Sequence, residues 1–188
     1  AGSTVQSPGG WYDAGDYGKY TINSAIALES MLMGAEVYSK FYKNFDMEIP
    51  ESTNNTPDVL DEAMYNLKWM LTMIDTVDGC VAHKVTTKGF VSMVLPAETN
   101  DQRYMIGKST ATNYGFAAIM AKASRLYKNY PDYPDFSEKA MRYAKQAYEW
   151  AEKNPGIIFH NPDSIWTGSY TARFPEQFRF WANVELYL

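Results

Sequence analysis

The chain has 188 residues, of which 46% are hydrophobic and 21% charged, and its formal net charge is −5. This composition is typical of one globular domain with a hydrophobic core. The acidity and the absence of a Lys/Arg run argue against a nucleic-acid partner. A single cysteine, Cys80, excludes an internal disulfide and a cysteine metal cluster. No apolar run approaches the roughly 20 residues of a membrane span, so we expect no membrane association.

Hydrophobic periodicity predicts five helices and no strong strand pattern. The first helix is expected to be long and mostly buried, and the second opens at Pro57 with Thr56 as its N-cap. The last helix has no stop signal before the sequence ends. The predicted ranges are 20–45, 57–74, 110–128, 137–153 and 175–188.

Residues 76–109 lose the helical period and collect glycines and a proline. They are predicted to form a long loop with a short β-ribbon at 80–87 or 89–95. Long loops in compact domains are usually functional. Helices joined by alternately short and long connections favour an all-α toroid or solenoid.

Two carboxylates lie three residues apart in the opening stretch "GGWYDAGDYGKY", which is rich in glycine and aromatic residues. Gly15 permits a tight turn, so Asp13 and Asp16 are expected to project toward one point. The residue types leave three interpretations open: a cap for the following helix, a calcium site, or a pair that activates water for hydrolysis. The surrounding rings favour a sugar ligand.

Several segments together resemble glycoside hydrolase family 9, the inverting endoglucanases and related β-glucan hydrolases. They are "SPGGWYDAGDYGKYTINSA", "IPESTNNTPDVLDEAMYNLKWMLTM", "DGCVAHKVTT", "STATNYGFAAIMAKASRLYK" and "FWANVELYL". The resemblance covers nearly the whole chain in collinear order. It implies an all-α (α/α)6 toroid of twelve helices, of which residues 1–188 form the N-terminal portion of a single catalytic domain.

The resemblance also implies roles for the opening motif. Asp16 matches the catalytic base of the family, and Asp13 matches the residue that helps to hold the attacking water. Trp11 and Tyr17 are expected on the sugar-binding surface. Together with Tyr12 they are expected to shield the acid pair and to supply phenolic donors.

Further residues match cleft positions of the family. His83 is expected to hydrogen-bond sugar hydroxyls, with ordering of its loop as the alternative. Arg103 and its neighbour Tyr104 are expected to line the cleft. Tyr170 matches a position near the glycone side, with a packing role as the alternative.

The chain departs from the family pattern near its end. Thr171-Ala172 and Glu176-Gln177 stand where relatives commonly have acidic residues that bind calcium. Calcium is therefore compatible with the chain but not required, and we assign no metal ligand and no other cofactor.

The general acid of the family, a glutamate, is expected far beyond residue 188. Glu185 is not that glutamate and is expected on a helix face or as a buried hydrogen-bonding acid. The chain is expected to be a fragment of a longer enzyme, with a partner chain or a stable relic as alternatives. On its own it should be nearly inactive.

The sequence thus predicts a hydrolase of β-1,4-glucosidic bonds in cellulose or related β-glucans. Its expected partners are a β-glucan and the missing C-terminal part of the domain, and secretion is expected because polymeric glucan does not enter cells. The alternatives are a non-catalytic glucan-binding or assembly module and an exo-acting glucosidase or glucosaminidase of the same family. A toroid lyase or epimerase fits less well, because such enzymes usually rely on His or Tyr bases and the chain has only two histidines.

Overall fold

The fold was analysed in a computed structural model that describes residues 3–188, and these residues are mostly helical. A one-turn 3₁₀ helix covers Pro96–Glu98. The three short strands are β1 (Lys19–Tyr20), β2 (Lys84–Thr86) and β3 (Tyr104–Ile106). The six α-helices are α1 (Thr21–Val37), α2 (Ser39–Tyr42), α3 (Asp58–Met70), α4 (Thr110–Tyr127), α5 (Phe136–Lys153) and α6 (Pro175–Tyr187).

Helix α4 is the central helix, and almost every residue along it is buried. It packs against α1, α5 and α6. Helix α5 presents a row of buried alanines at helical spacing, and such small side chains let two helices approach closely. The row consists of Ala140, Ala144, Ala147 and Ala151. The predictions for both helices are confirmed to within one residue at each end.

The first predicted helix is shorter than expected. It breaks at Tyr38, whose φ of −107° and ψ of 36° lie outside the helical region, and the short α2 follows. No proline or glycine marks the break in the sequence. The expectation of a mostly buried helix is wrong for one face, because Ile26 is 53% exposed and Met33 is 50% exposed. Apolar residues occur on more than one face of α1, but its packing partners α3 and α4 cover only one side of the helix.

The start of the second predicted helix also differs. The N-cap position of α3 is Pro57, which has no side-chain cap, so the assignment of Thr56 as the cap is wrong. The Thr56 hydroxyl instead donates to Asp132, in the connection between α4 and α5, at 2.9 Å.

None of the described helices is both long enough and apolar enough to cross a lipid bilayer.

The three strands form an antiparallel sheet in the order β1-β2-β3. Strand β2 lies inside the predicted ribbon at 80–87, whereas no strand forms at 89–95. Lys19 pairs with Val85, which in turn pairs with Met105. This register brings three loops to one end of the sheet: the loop before β1, the segment after β2 and the segment before β3.

Candidate active site

The loop that carries the acid pair turns before β1, and Gly15 and Asp16 lie in that turn, as predicted. A Cβ at Gly15 would meet no atom within 4 Å, so that position does not require glycine. The left-handed residue is Tyr17, with φ of +52°. Gly18 is the constrained position, since a Cβ there would lie 2.8 Å from the Tyr20 ring. The absence of a side chain at Gly18 lets Tyr20 fold back against the loop.

Both oxygens of the Asp16 carboxylate accept hydrogen bonds from its own loop and strand. The backbone N–H of Gly18 donates at 2.9 Å, and the Tyr20 hydroxyl donates at 2.5 Å. The N-cap of α1 is Tyr20, with no side-chain cap. The capping interpretation of the acid pair is therefore wrong. Asp16 is only partly exposed, and Tyr20 is 1% exposed.

Asp13 is held by residues from two other parts of the chain. The Asn23 side chain, in the first turn of α1, donates to Oδ1 at 2.8 Å. The Tyr170 hydroxyl donates to Oδ2. Tyr170 has φ of +44°, and strained backbone of this kind is often found at functional sites. Asp13 itself remains exposed.

Two tyrosines therefore connect the two carboxylates. The rings of Tyr20 and Tyr170 meet edge to face with centroids 4.7 Å apart. One hydroxyl donates to Asp16 and the other to Asp13. Burial first, and then the bond to Asp16, raise the pKa of Tyr20, so its hydroxyl stays protonated and donating. The expectation that Tyr12 and Tyr17 supply the phenolic donors is wrong.

Tyr12, Tyr17 and Arg103 form a separate cluster beside the acid loop. The Arg103 guanidinium lies 5.0 Å from the Tyr12 ring centroid and donates to the Tyr12 hydroxyl at 3.2 Å. The Tyr12 and Tyr17 rings are 5.0 Å apart. The Tyr17 hydroxyl donates to the Val94 carbonyl, which ties the acid loop to the segment after β2. Arg103 and Tyr17 are thus joined through Tyr12, the residue next to Asp13, and their expected roles on a sugar-binding surface stay predictions.

Trp11 is anchored to α3 rather than to the acid pair. Its indole N–H donates to Glu62 at 2.7 Å, and its backbone N–H donates to Asn66 at 3.0 Å. The ring is half-buried against the hydrophobic core. Only the remaining exposed part of the ring could contact a ligand.

His83 is buried, with 0% exposure, so the expectation that it hydrogen-bonds sugar hydroxyls is wrong. Its Nε2 lies 2.8 Å from the Ser169 carbonyl oxygen, and a carbonyl only accepts, so Nε2 carries the proton. Its Nδ1 then accepts from the Thr112 hydroxyl at 2.7 Å. Burial lowers the pKa of His83 to about 4, so the ring is neutral at pH 7. His83 orders the loop next to Tyr170, which is the alternative that the sequence left open.

Lys84 is a functional candidate that the sequence did not indicate. It is 0% exposed, and its ammonium group donates to the Gly168 carbonyl and the Asn161 side chain, both at 2.7 Å, and to the Thr167 hydroxyl at 3.0 Å. The same group lies 5.4 Å from the Tyr20 ring centroid. Lys84 therefore fixes the loop that ends in Tyr170. Its place next to His83 is the one feature of the sequence that could have drawn attention to it.

Lys84 gives the protein a measurable pH dependence of stability. Burial lowers its pKa from 10.5 to about 8, with Asp16 opposing that shift. Between these two values the unfolded chain binds a proton that the folded chain does not, so Lys84 makes the free energy of unfolding rise with pH. We expect Lys84→Met to reduce this slope between pH 8 and 9.5, measured by urea unfolding. Identical slopes in the two proteins would contradict a buried ammonium at this position.

The segment where relatives of the family often bind calcium carries few acidic ligands in this chain. Glu176 and Gln177 lie in the first turn of α6, and the neutral amide supplies one weaker oxygen ligand. Within residues 3–188 no group of three or more His, Cys, Asp or Glu side chains is arranged to hold a metal ion.

Glu185 is a buried ion-pairing residue, as the sequence predicted for a structural acid. It is 6% exposed and accepts from Arg125 at 2.9 Å, and Lys122 lies 3.5 Å away. These contacts join α6 to α4.

Comparison with known proteins gives a consistent family assignment. The family model "Glycosyl hydrolase family 9" matches residues 1–188. The chain is 43% identical to the xyloglucan-specific endo-beta-1,4-glucanase BoGH9A of Bacteroides ovatus, over 100% of this chain and 33% of that protein. It is 37% identical to endoglucanase D of Acetivibrio thermocellus, over 95% of this chain and 28% of that protein.

The structural comparison agrees. A solved Bacteroides ovatus GH9 structure superposes with a TM-score of 0.97 at 43% identity, covering 100% of this chain and 36% of that one. The chain therefore has the helical arrangement of one part of an (α/α)6 enzyme, as predicted. It spans about a third of the length of the curated relatives it matches. The chain belongs to glycosyl hydrolase family 9.

Proposed function

We propose that the protein carrying this chain hydrolyses β-1,4-glucosidic bonds in cellulose or related β-glucans, with inversion at the anomeric carbon. One observation carries the proposal. Asp13 and Asp16 lie on one loop, each fixed by a tyrosine hydroxyl, and both keep part of their surface open to solvent. Such a pair can hold and deprotonate a water molecule.

In this proposal Asp16 is the general base. Each carboxylate oxygen has two lone pairs, so the bonds from Gly18 and Tyr20 leave a lone pair on each oxygen for water. Asp13 accepts the second hydrogen of that water and keeps it in line with the anomeric carbon. Asn23 and Tyr170 fix the direction of Asp13.

An inverting reaction also needs a general acid that protonates the departing sugar oxygen. We propose that this acid belongs to the protein outside residues 1–188. Support comes from the relatives, of which the chain spans only about a third. Loss of general acid help lowers rates by about 10²–10⁴-fold, so the isolated chain should be nearly inactive.

The substrate proposal follows the matched relatives, one of which is a xyloglucan-specific endo-β-1,4-glucanase and another an endoglucanase. A β-1,4-linked glucan backbone, bare or substituted, is common to both activities. Such polymers are too large to enter a cell, so we also propose that the enzyme is secreted.

The proposal is tested by proton NMR of full-length enzyme acting on cellopentaose. We expect the α-anomer to accumulate first, because water attacks the face opposite to the β-linked leaving group. Initial release of the β-anomer would contradict inversion. Binding of the oligosaccharide without any hydrolysis would instead establish the non-catalytic module. Release of single sugars from one end only would establish the exo-acting alternative.

A further inference from the structure

Beyond the acid pair, the sheet register gathers a second group of polar and aromatic residues at the same end. Lys19 pairs with Val85, and Thr86 pairs with Tyr104. The strands are antiparallel, so the acid loop before Lys19 runs beside the segment after Thr86 and the segment before Tyr104. Neighbouring strands lie about 4.8 Å apart, which places the three segments side by side.

An exposed tryptophan is fixed against the middle segment. Trp166 is 74% exposed, yet its flanking residues Ile165 and Thr167 are 6% and 3% exposed. Its backbone N–H donates to the Lys88 carbonyl at 2.7 Å, and its indole N–H donates to the Asp163 carbonyl at 3.0 Å. The ring is therefore held in one orientation while most of its surface remains open.

A concavity of about 280 Å³ lies where this segment meets the one before β3. Trp166 touches its border, because a Cβ at Gly89 would lie 3.8 Å from the indole. The lining combines rings with hydrogen-bonding groups. It consists of Thr87, Lys88, Gly89, Phe90, Asp101, Gln102 and Tyr104.

We infer that Trp166 and this concavity form a distal glucan-binding subsite of the proposed enzyme. A β-linked glucose unit has apolar C–H groups on its two faces and hydroxyls around its edge. An exposed, immobilised indole can stack on the apolar face of the glucose unit, and the Lys88, Asp101 and Gln102 side chains can hydrogen-bond the hydroxyls at its edge. The inference rests on the proposed function.

The position of Trp166 relative to the acid pair allows one glucan chain to contact both. Trp166 precedes Tyr170 by four residues, and Tyr170 contacts Asp13. Four residues span at most about 14 Å of extended chain. An oligosaccharide of several units can therefore reach from Asp13 to Trp166, whereas a short one that occupies the acid pair does not need the tryptophan.

The test uses full-length protein with Asp16→Asn, which keeps bound glucan intact, and isothermal titration with cellohexaose and cellotriose. We expect Trp166→Ala to raise Kd for cellohexaose on the order of tenfold, because the bound sugar would cover the exposed indole and truncation removes that contact. The Kd for cellotriose should change by less than about twofold. The cellohexaose Kd of Trp166→Phe should lie between that of Trp166→Ala and that of the Asp16→Asn parent.

Tyr38→Ala is the matched control. Tyr38 is 64% exposed, and it follows the 17-residue helix α1, whose length separates it from the sheet by about 25 Å. It should leave both dissociation constants unchanged. An unchanged cellohexaose Kd in Trp166→Ala, with hydrolysis by the wild-type enzyme intact, would overturn this inference alone. Failure of the Asp16→Asn parent to bind any glucan, together with failure of the wild-type enzyme to hydrolyse any, would overturn the proposed function and the inference together.

Discussion

Asp16→Asn is expected to lower kcat for β-glucan hydrolysis by about 10²–10⁴-fold while leaving glucan affinity nearly unchanged. The amide cannot take a proton from water, but it is almost the same size as the carboxylate. It can still accept a hydrogen bond from Gly18 or Tyr20 through its single oxygen. The measurement is reducing-end release by full-length enzyme, paired with titration of a cello-oligosaccharide.

Asp135→Asn provides the control for this loss. Asp135 is exposed at the start of α5 and makes no side-chain cap, so the same chemical change there should leave kcat unaltered. Asp16→Asn enzyme with kcat close to that of the wild type would remove Asp16 from the role of base. A parallel loss of affinity would mean that Asp16 binds substrate rather than activating water.

The second large effect is expected on stability, from Lys122→Met. The Lys122 side chain is 4% exposed on α4, and its ammonium group lies 2.5 Å from Glu29 of α1 and 3.5 Å from Glu185 of α6. Burial already raises the pKa of Glu29, and Lys122 opposes that shift. Removal of the cation would leave Glu29 without its partner. Breaking a buried ion pair in this way typically costs about 3–5 kcal/mol.

Urea unfolding of full-length protein measures this cost. Lys128→Met is the matched control, because Lys128 is exposed at the end of the same helix. Adding Glu29→Gln to Lys122→Met should restore part of the lost stability, because it removes the unpaired charge. A free energy of unfolding equal to that of Lys128→Met would show that the Lys122 ion pairs contribute nothing to the fold.

The helices were predictable because their signal is local. Alanines of α5 recur at helical spacing, and Ser109 before α4 is a cap that accepts from the Thr112 N–H at 3.1 Å. The break at Tyr38 was not predictable, because neither proline nor glycine marks it. Strand β2 falls inside a predicted ribbon, but the pairing of the sheet was not predictable. Strand β1 has two residues and pairs with a strand more than sixty residues away, so no local pattern records the pairing.

The candidate site also combines features with a local sequence signal and features that depend on contacts between distant residues. Asp13 and Asp16 stand out in the sequence because their spacing and their neighbours are local. Their hydrogen-bond partners were not predictable: Tyr20 reads as the start of a helix, and Tyr170, although a candidate cleft residue, lies 157 residues from Asp13, so no local pattern indicates their contact. Lys84 looks like a surface lysine until the fold buries it beneath the 161–168 segment. Gly18, between Asp16 and Tyr20, was the one local signal that a side chain folds back there.

The central claim is that Asp16 is the base and Asp13 orients the water. The most direct test compares kcat of Asp16→Ala and Asp13→Ala in full-length enzyme, with glucan affinity measured for both. The account predicts the larger loss for Asp16→Ala, because Asp13 only positions the water that Asp16 deprotonates. Equal losses, or a larger loss for Asp13→Ala, would contradict this assignment of the two roles.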